Sequence, residues 1–533
     1  MSSIGASISR LFALARGETR LAFSDAPQVA WWLVGVAAWA SVAIMAGLIV
    51  GFAAVALPPV GLAGVILPFI LFLLWVIPDG FNPPDRLIRR MLLIVLFTDI
   101  CIPVYYSVQL PGTPWISVRR IATFVLISIF AVTFSASRPA RRRIAEVVKD
   151  NLPIFAGIFG YLLMANISLL TAQSAAGSLN ALMDAYLEWY VPFFCAMYVL
   201  RDVKDVEMMV RFLCWCCIVI TLAGVTDFMM KKSIYITVMP KFMFDNLIAS
   251  SDFARTALQA DLGLRMGQVR VNGPYTVSLS FAEGEAMFAP FGAVLLLHGR
   301  NLWDRLFGST VMIASLAGIY VSGSRGGYLS FLVGVFLLGL AMVVRSRLAA
   351  PRSLAAPLLA ILGGSGFVAT VLAILFVGRV HNVIFASGEG ASSTEARYIQ
   401  WSLAWPKIVA NPVTGYGLSS SGTIVGYRSA PSSPLSVDSF VLSLVTETGV
   451  PGVIFYFGTC LAAIYTGLRQ YLFDHGRGGV WAGGLASSVA GYTFYRFALS
   501  QRENQTLFFT SVACLALLNH FYLRERAARP APS

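Results

Sequence analysis

The sequence predicts an all-α polytopic membrane protein with about 14 transmembrane helices (about 12–14) and two long extracytoplasmic loops. Three observations predict it. Of 533 residues, 57% are hydrophobic and 12% charged, whereas soluble domains average about 25% charged. Mean hydropathy is +0.74. Apolar windows long enough to cross a bilayer recur along most of the chain. The net charge of +13 is what basic residues flanking spans and facing anionic lipid produce, so nucleic acid is not an expected partner.

The windows start near residues 29, 60, 91, 119, 152, 183, 207, 276, 305, 327, 355, 450, 480 and 506. Residues 1–28 form a cytoplasmic tail carrying Arg10, Arg16 and Arg20. A full-length span follows, so no cleavable signal peptide is expected. Residues 29–228 read as an N-terminal transmembrane bundle and 229–275 as the first long outer loop. Helices carrying the turn Ser324-Arg325-Gly326-Gly327 (SRGG) occupy 276–378. The second outer loop is 379–449, the last helices are 450–523, and 524–533 is a cytoplasmic tail. All seven cysteines fall in apolar segments. The run Cys214, Cys216, Cys217 has no histidine beside it, so they read as small core or lipid-facing residues.

Basic residues set the orientation. With the N-terminus inside, the cytoplasmic turns hold PDGFNPPDRLIRR, SASRPARRRIAEVVKD and about 24 of the 39 basic residues. Arg119 and Arg120 lie outside, against that bias, and need a reason. Both long loops and Arg325 share the outer face. A long ordered loop in a compact protein is more often functional than a mere connector.

Arg325 sits in Ser322-Gly323-Ser324-Arg325-Gly326-Gly327, between two apolar runs. Ser322 or Ser324 can cap the helix that starts near Gly327, whose amide dipoles favour an anion. In one reading the glycines let a phosphate approach the backbone while Arg325 supplies a bidentate fork. In the other, Arg325 is a snorkelling anchor on a tight turn. Arg270 precedes a turn at Asn272-Gly273-Pro274, and the span that follows carries Glu283 and Glu285. Intramembrane carboxylates are costly, so these are either functional or structurally paired, Glu283 with a base on a neighbouring span.

In the second loop, Ser392 and Glu395 stand at capping-box spacing. The helix that follows places Tyr398, Trp401, Trp405 and Ile408 on one face, with Arg397 near its start. Pro406 should kink it, and Asn411-Pro412 stops it. The aromatics are either interfacial anchors or a wall for sugar rings. Asp438 opens an apolar helix ending at Thr446–Gly449, as a cap or as a base. Asp438 and Glu447 are about 900° apart on a continuous helix and cannot form a carboxylate pair. The chain has no HExxH, Walker A or GxSxG, and no acidic metal box in an outer loop. Of its four histidines only His381 lies outside, which argues against a metal-dependent hydrolase.

The order of these motifs resembles the O-antigen ligase and Wzy-type polysaccharide polymerase superfamily. It runs from Arg270–Gly273 through Ser324–Gly327, Arg397–Trp401 and Asn411–Gly417 to Asp438 and Glu447–Gly452, within roughly residues 265–470. The resemblance implies a GT-C-like glycosyltransferase of the bacterial inner membrane with its active site facing the periplasm. The implied donor is an undecaprenyl-diphosphate-linked oligosaccharide, with no cofactor, metal ion or nucleotide sugar. The other implied partners are membrane lipid and a chain-length regulator (co-polymerase). The family's diphosphate-holding arginines carry over onto Arg270 and Arg325, and also onto Arg397.

Ligases of the family usually show His-Asn where this chain has Asp438-Ser439. A carboxylate can still act as general base, and the departure points toward polymerase. The expected catalytic residues are therefore Asp438, Arg325 and Arg270. The expected substrate-binding residues are Arg397, Ser324, Gly326, Gly327, Tyr398, Trp401, Trp405 and Glu283. The alternatives are a ligase that moves glycan to a lipid or protein acceptor, and a glycolipid flippase or transporter. A transporter would carry its polar residues and helix breaks at mid-membrane, whereas most charges and Gly/Pro breaks here fall at the outer boundary.

Overall fold

The computed structural model describes residues 83–108, 116–250, 264–265, 268–376, 389–428, 435–497 and 499–528. The N-terminal tail, the spans expected from near residues 29 and 60, and His381 lie outside them. The chain forms two units, residues 1–84 with 129–141 and residues 85–128 with 142–533. In the first, Arg141 donates to the carbonyls of Phe134 (2.9 Å) and Ser135. Its guanidinium thereby satisfies groups that a helix end leaves open.

The described residues are nearly all helical. The early helices are α1 (Asp85–Cys101), α2 (Val118–Ala136), α3 (Arg138–Asp150), α4 (Leu152–Ile167), α5 (Ala175–Asp184), α6 (Val191–Val199) and α7 (Val203–Met230). Two short helices follow, α8 (Ile234–Thr237) and α9 (Lys241–Ser250). Then come α10 (Ser278–His298), α11 (Leu302–Ser322), α12 (Arg325–Ala349) and α13 (Ala355–Phe376). The last group is α14 (Glu389–Ala410), α15 (Ser421–Val425), α16 (Phe440–Phe473), α17 (Arg477–Tyr495) and α18 (Gln505–Ala528). Two antiparallel pairs of two-residue strands, β1 with β2 (Ser107–Val108, Ile116–Ser117) and β3 with β4 (Leu264–Arg265, Gln268–Val269), complete the elements.

Among the described residues, eight helices are long and apolar enough to cross a membrane: α2, α4 with the turn that extends it to Thr171, α7, α10, α11, α12, α16 and α18. The protein is a polytopic helical membrane protein. Each of the twelve spans expected from residue 91 onward meets a helix, although α1, α6, α13 and α17 fall outside those eight.

In lipid the outside of a bundle is as apolar as its inside, so close approach comes from small residues and polar atoms are turned inward. The α10 helix shows both. It is the most buried of the eight and carries Ser280, Glu283 and Glu285, all shut from solvent. A Cβ on Gly292 would come within 2.9 Å of the Gly308 carbonyl oxygen on α11.

The span expected near residue 183 is broken. Between α5 and α6 the chain forms a π-helical turn, Ala185–Tyr190. Pro192 has no N–H, so the carbonyl of Glu188 loses the donor a regular helix would give it. The Thr506 hydroxyl supplies one at 2.9 Å.

The two arginines expected outside, against the charge bias, are paired. Arg119 binds Asp99 at 2.9 Å and Glu188 at 2.8 Å, and Arg120 binds Asp184 at 2.6 Å.

The helix expected to open at Asp438 and end at Thr446–Gly449 begins at Phe440 and breaks at Gly449, beyond which the helix expected from about residue 450 continues. The expected second loop is corrected in one place. The α14 helix starts at Glu389, so Ser392 lies inside it and is not its cap.

Candidate active site

The SRGG turn forms because α11 ends in a left-handed residue, Gly323 (φ 62°), a conformation that glycine adopts without steric cost. The chain reverses there and α12 begins at Arg325. Two side chains hold the turn. The Ser322 hydroxyl donates to Ile319 O (2.7 Å) and accepts the Ser324 N–H (3.2 Å). The Ser324 hydroxyl meets the Tyr495 hydroxyl at 2.7 Å. The Tyr495 hydroxyl donates to Leu279 O (3.0 Å), tying α17 to the start of α10. Ser324 is the cap residue by position, yet its side chain makes no capping bond.

Arg270 lies against this turn. Its Nε donates to Ser322 O at 3.2 Å, and the next residue, Val271, donates its N–H to Val321 O at 3.2 Å. The two arginines expected to share an anion therefore stand on one turn, and both are half-buried.

The glycines of the turn also carry close packing. A Cβ on Gly326 would lie 2.6 Å from the Tyr495 ring, and one on Gly327 would lie 2.8 Å from Ala282 Cβ, so α12 packs closely on α17 and α10 at both positions.

Glu283 is also corrected. It is 0% exposed and forms an ion pair with Arg496, itself 0% exposed, while Asn504 Nδ2 donates to the same carboxylate at 2.8 Å. The Arg496 guanidinium stacks over the rings of Tyr492 (4.6 Å) and Phe440 (5.2 Å). This is the structural pair, closed from solvent on both sides. Glu285, equally buried, accepts from Thr221 Oγ1 (2.7 Å) and Cys217 Sγ (3.2 Å).

Asp438 is not a helix cap. Ser439 holds that position at the start of α16 and makes no side-chain bond. The Asp438 N–H donates to Gln400 Oε1 (3.0 Å), and Gln400 Nε2 donates to Asp438 Oδ2 (3.4 Å). Phe440 N–H donates to Arg496 O (3.1 Å). The segment Tyr495–Arg496 thus bonds both to the SRGG turn and to the helix that Asp438 opens.

On α14, the packed face is Gln400, Ala404 and Ile408, of which Ala404 and Ile408 join Val425, Val437, Leu442 and Val445. Tyr398 (76% exposed), Trp401 (37%) and Trp405 (60%) face away. The expected face combining those aromatics with Ile408 does not exist. Arg397 is half-buried, with an Nε that has no hydrogen-bond partner among the described residues.

The Asn411–Gly417 loop and the Glu447–Gly449 kink form one backbone unit. Tyr416 N–H donates to Thr446 O (2.9 Å), Gly417 N–H to Glu447 O (3.0 Å) and Val450 N–H to Pro412 O (2.8 Å). Gly449 takes φ 71° and ψ −179°, a region open essentially to glycine alone, and a Cβ there would overlap Val413 O. Glu447 turns inward, accepts from Ser421 Oγ (2.8 Å) and pairs with Arg502.

The sequence reading missed Arg496, Arg502 and Glu503. Glu503 accepts the Thr276 N–H at 2.7 Å, and burial pushes its carboxyl up from the usual carboxylate range. The available signal was three charges in the short link between α17 and α18, which the expected orientation places outside, against the positive-inside bias. Among the described residues no group of three His, Cys, Asp or Glu side chains is placed to hold a metal ion.

Long apolar helices that gather arginines, carboxylates and two motif loops at one end define a membrane protein with a polar site at one boundary of its bundle. Residues 310–457 match the O-Antigen ligase family model, about a quarter of the chain. The match takes in the SRGG turn, Arg397, the Asn411–Gly417 loop, Asp438 and the Gly449 kink. It is consistent with the O-antigen ligase/Wzy-type superfamily and supports a ligase- or polymerase-like membrane enzyme. Arg270, Glu283, Arg496 and Arg502 lie outside it. No curated protein matches the chain.

Proposed function

We propose that the protein is a GT-C-like polysaccharide polymerase of the bacterial inner membrane, with its site facing the periplasm. It joins undecaprenyl-diphosphate-linked glycans without a metal ion. The observation that carries this reading is the seating of Arg270 on the turn that bears Arg325, at the end of the bundle where Asp438 opens α16.

The donor diphosphate docks against Arg270 and Arg325. A hydroxyl oxygen of the acceptor repeat unit attacks the anomeric carbon, and its proton passes to the Asp438 carboxylate. The bond from that carbon to the phosphate oxygen breaks, its electron pair leaves with undecaprenyl diphosphate, and the anomeric centre inverts. Each well-placed donor on the leaving phosphate lowers the barrier by about 3 kcal/mol. The base contributes about 10²- to 10⁴-fold.

Purified protein incubated with lipid-linked repeat units alone tests the reading. A ladder of lengthening chains is expected. Transfer only after a separate lipid or protein acceptor is added would make the protein a ligase. Uptake of glycolipid into liposomes without any bond formation would make it a transporter. In the ladder assay Arg325→Ala and Asp438→Asn should both fall at least 100-fold. An Asp438→Asn protein of undiminished rate would remove the base from the mechanism.

A further inference from the structure

We propose that Gln400 is the positioning residue for the Asp438 carboxylate. This rests on the general-base role given to Asp438 above. Gln400 is 0% exposed, on the packed face of α14, and its amide bonds through both its oxygen and its nitrogen to one residue, Asp438. The backbone N–H of Asp438 can only donate, so it fixes the amide oxygen on that side at 3.0 Å. The amide NH₂ must then face the carboxylate, where Nε2 stands 3.4 Å from Oδ2. Amide orientation, usually ambiguous, is settled here by the network itself.

The consequence is chemical. One amide fixes the backbone and one carboxylate oxygen of the same aspartate, which orients the plane of the carboxyl group. Oδ2 is committed to Gln400 and Oδ1 is left for the acceptor hydroxyl. A neutral amide orients the carboxylate without bringing a second charge to it. The supporting helix is anchored independently through Ala404 and Ile408, which pack on Val437 and Leu442 at either side of Asp438. The amide is therefore delivered by a packed element and not by a free loop.

Two variants and a double-mutant comparison test this. Gln400→Met keeps the volume and removes both bonds. Gln400→Glu keeps the acceptor for the Asp438 N–H and removes the donor to the carboxylate. Both are expected to lower kcat in the ladder assay at least 10-fold, with KM for the lipid-linked substrate within twofold. In an Asp438→Asn background neither should lower the residual rate further, because Gln400 acts only through the carboxylate.

A wild-type kcat in both single variants overturns the proposal, and so does a further 10-fold loss in the Asp438→Asn background. If Gln400→Met fails to accumulate in the membrane, Gln400→Glu carries the comparison alone. An Asp438→Asn protein of full activity would sink the general-base reading, an outcome distinct from either of these.

Discussion

The two ends of the bundle use the same pairing chemistry in opposite surroundings. At the end away from the SRGG turn, arginines and carboxylates pair near solvent. Arg89 with Asp205 has side chains 36% and 17% exposed, and Arg201 with Asp85 has 51% and 35%. Helices there start on ordinary caps, Asp202 accepting from Asp205 N–H and Asn301 from Asp304 N–H, each at 2.8 Å. At the SRGG end Arg120 with Asp184 is also open, at 30% and 38%, but two further pairs are buried: Arg496 with Glu283 is 0% exposed on both sides, and Arg502 with Glu447 is 21% and 2%. A sealed pair adds little to net stability but is costly to break by halves, because the partner left behind is an uncompensated charge. One end is thus tolerant, and the other holds a fixed geometry.

Four measurements break or sharpen that contrast. Arg496→Ala should cost about 3–5 kcal/mol by leaving Glu283 alone. Adding Glu283→Gln should recover most of it, read as detergent thermal stability. If Arg496→Ala behaves like a surface substitution, the pair is not sealed. Gly449→Ala comes next. The backbone conformation alone costs about 1–3 kcal/mol, and the overlap with Val413 O adds to that. Poor accumulation in the membrane is the expected result. Arg89→Ala, at the tolerant end, should cost under about 1 kcal/mol.

The smallest effect is a slope. Glu503 has its carboxyl raised by burial, so the folded state holds a proton that the unfolded chain has already released. Stability should therefore fall as pH rises above about 4.3, where a free glutamate ionises. Glu503→Gln keeps an acceptor for the Thr276 N–H and should flatten that fall. Parallel pH profiles of thermal stability would show that Glu503 does not carry it.

Local motifs were legible in the sequence and distant partners were not. The SRGG turn and the helix break at Gly449 can be read from residues close in the chain, because glycine and charge punctuate apolar runs; the pairing of Arg270 with that turn, across 52 residues, was expected only from the family resemblance. Arg496 and Glu283 are 213 residues apart, and no periodicity links them.

The amphipathic rule misled on α14 for a physical reason. The exposed face of α14 is itself aromatic, with Tyr398, Trp401 and Trp405, while the packed face holds Gln400, Ala404 and Ile408. The apolar stripe therefore marked the outside. Ser392 failed as a cap because α14 runs past it to Glu389. Glu283 shows what was within reach: an intramembrane carboxylate needs a partner, and the α17–α18 link held the unassigned arginines.

The backbone bonds from Tyr416 to Thr446, from Gly417 to Glu447 and from Val450 to Pro412 couple the Asn411–Gly417 loop to the Gly449 kink. The two motifs therefore behave as a single part: a Cβ on Gly415 would stand 2.5 Å from Glu447 O, so a glycine lost from one motif disturbs the other as well.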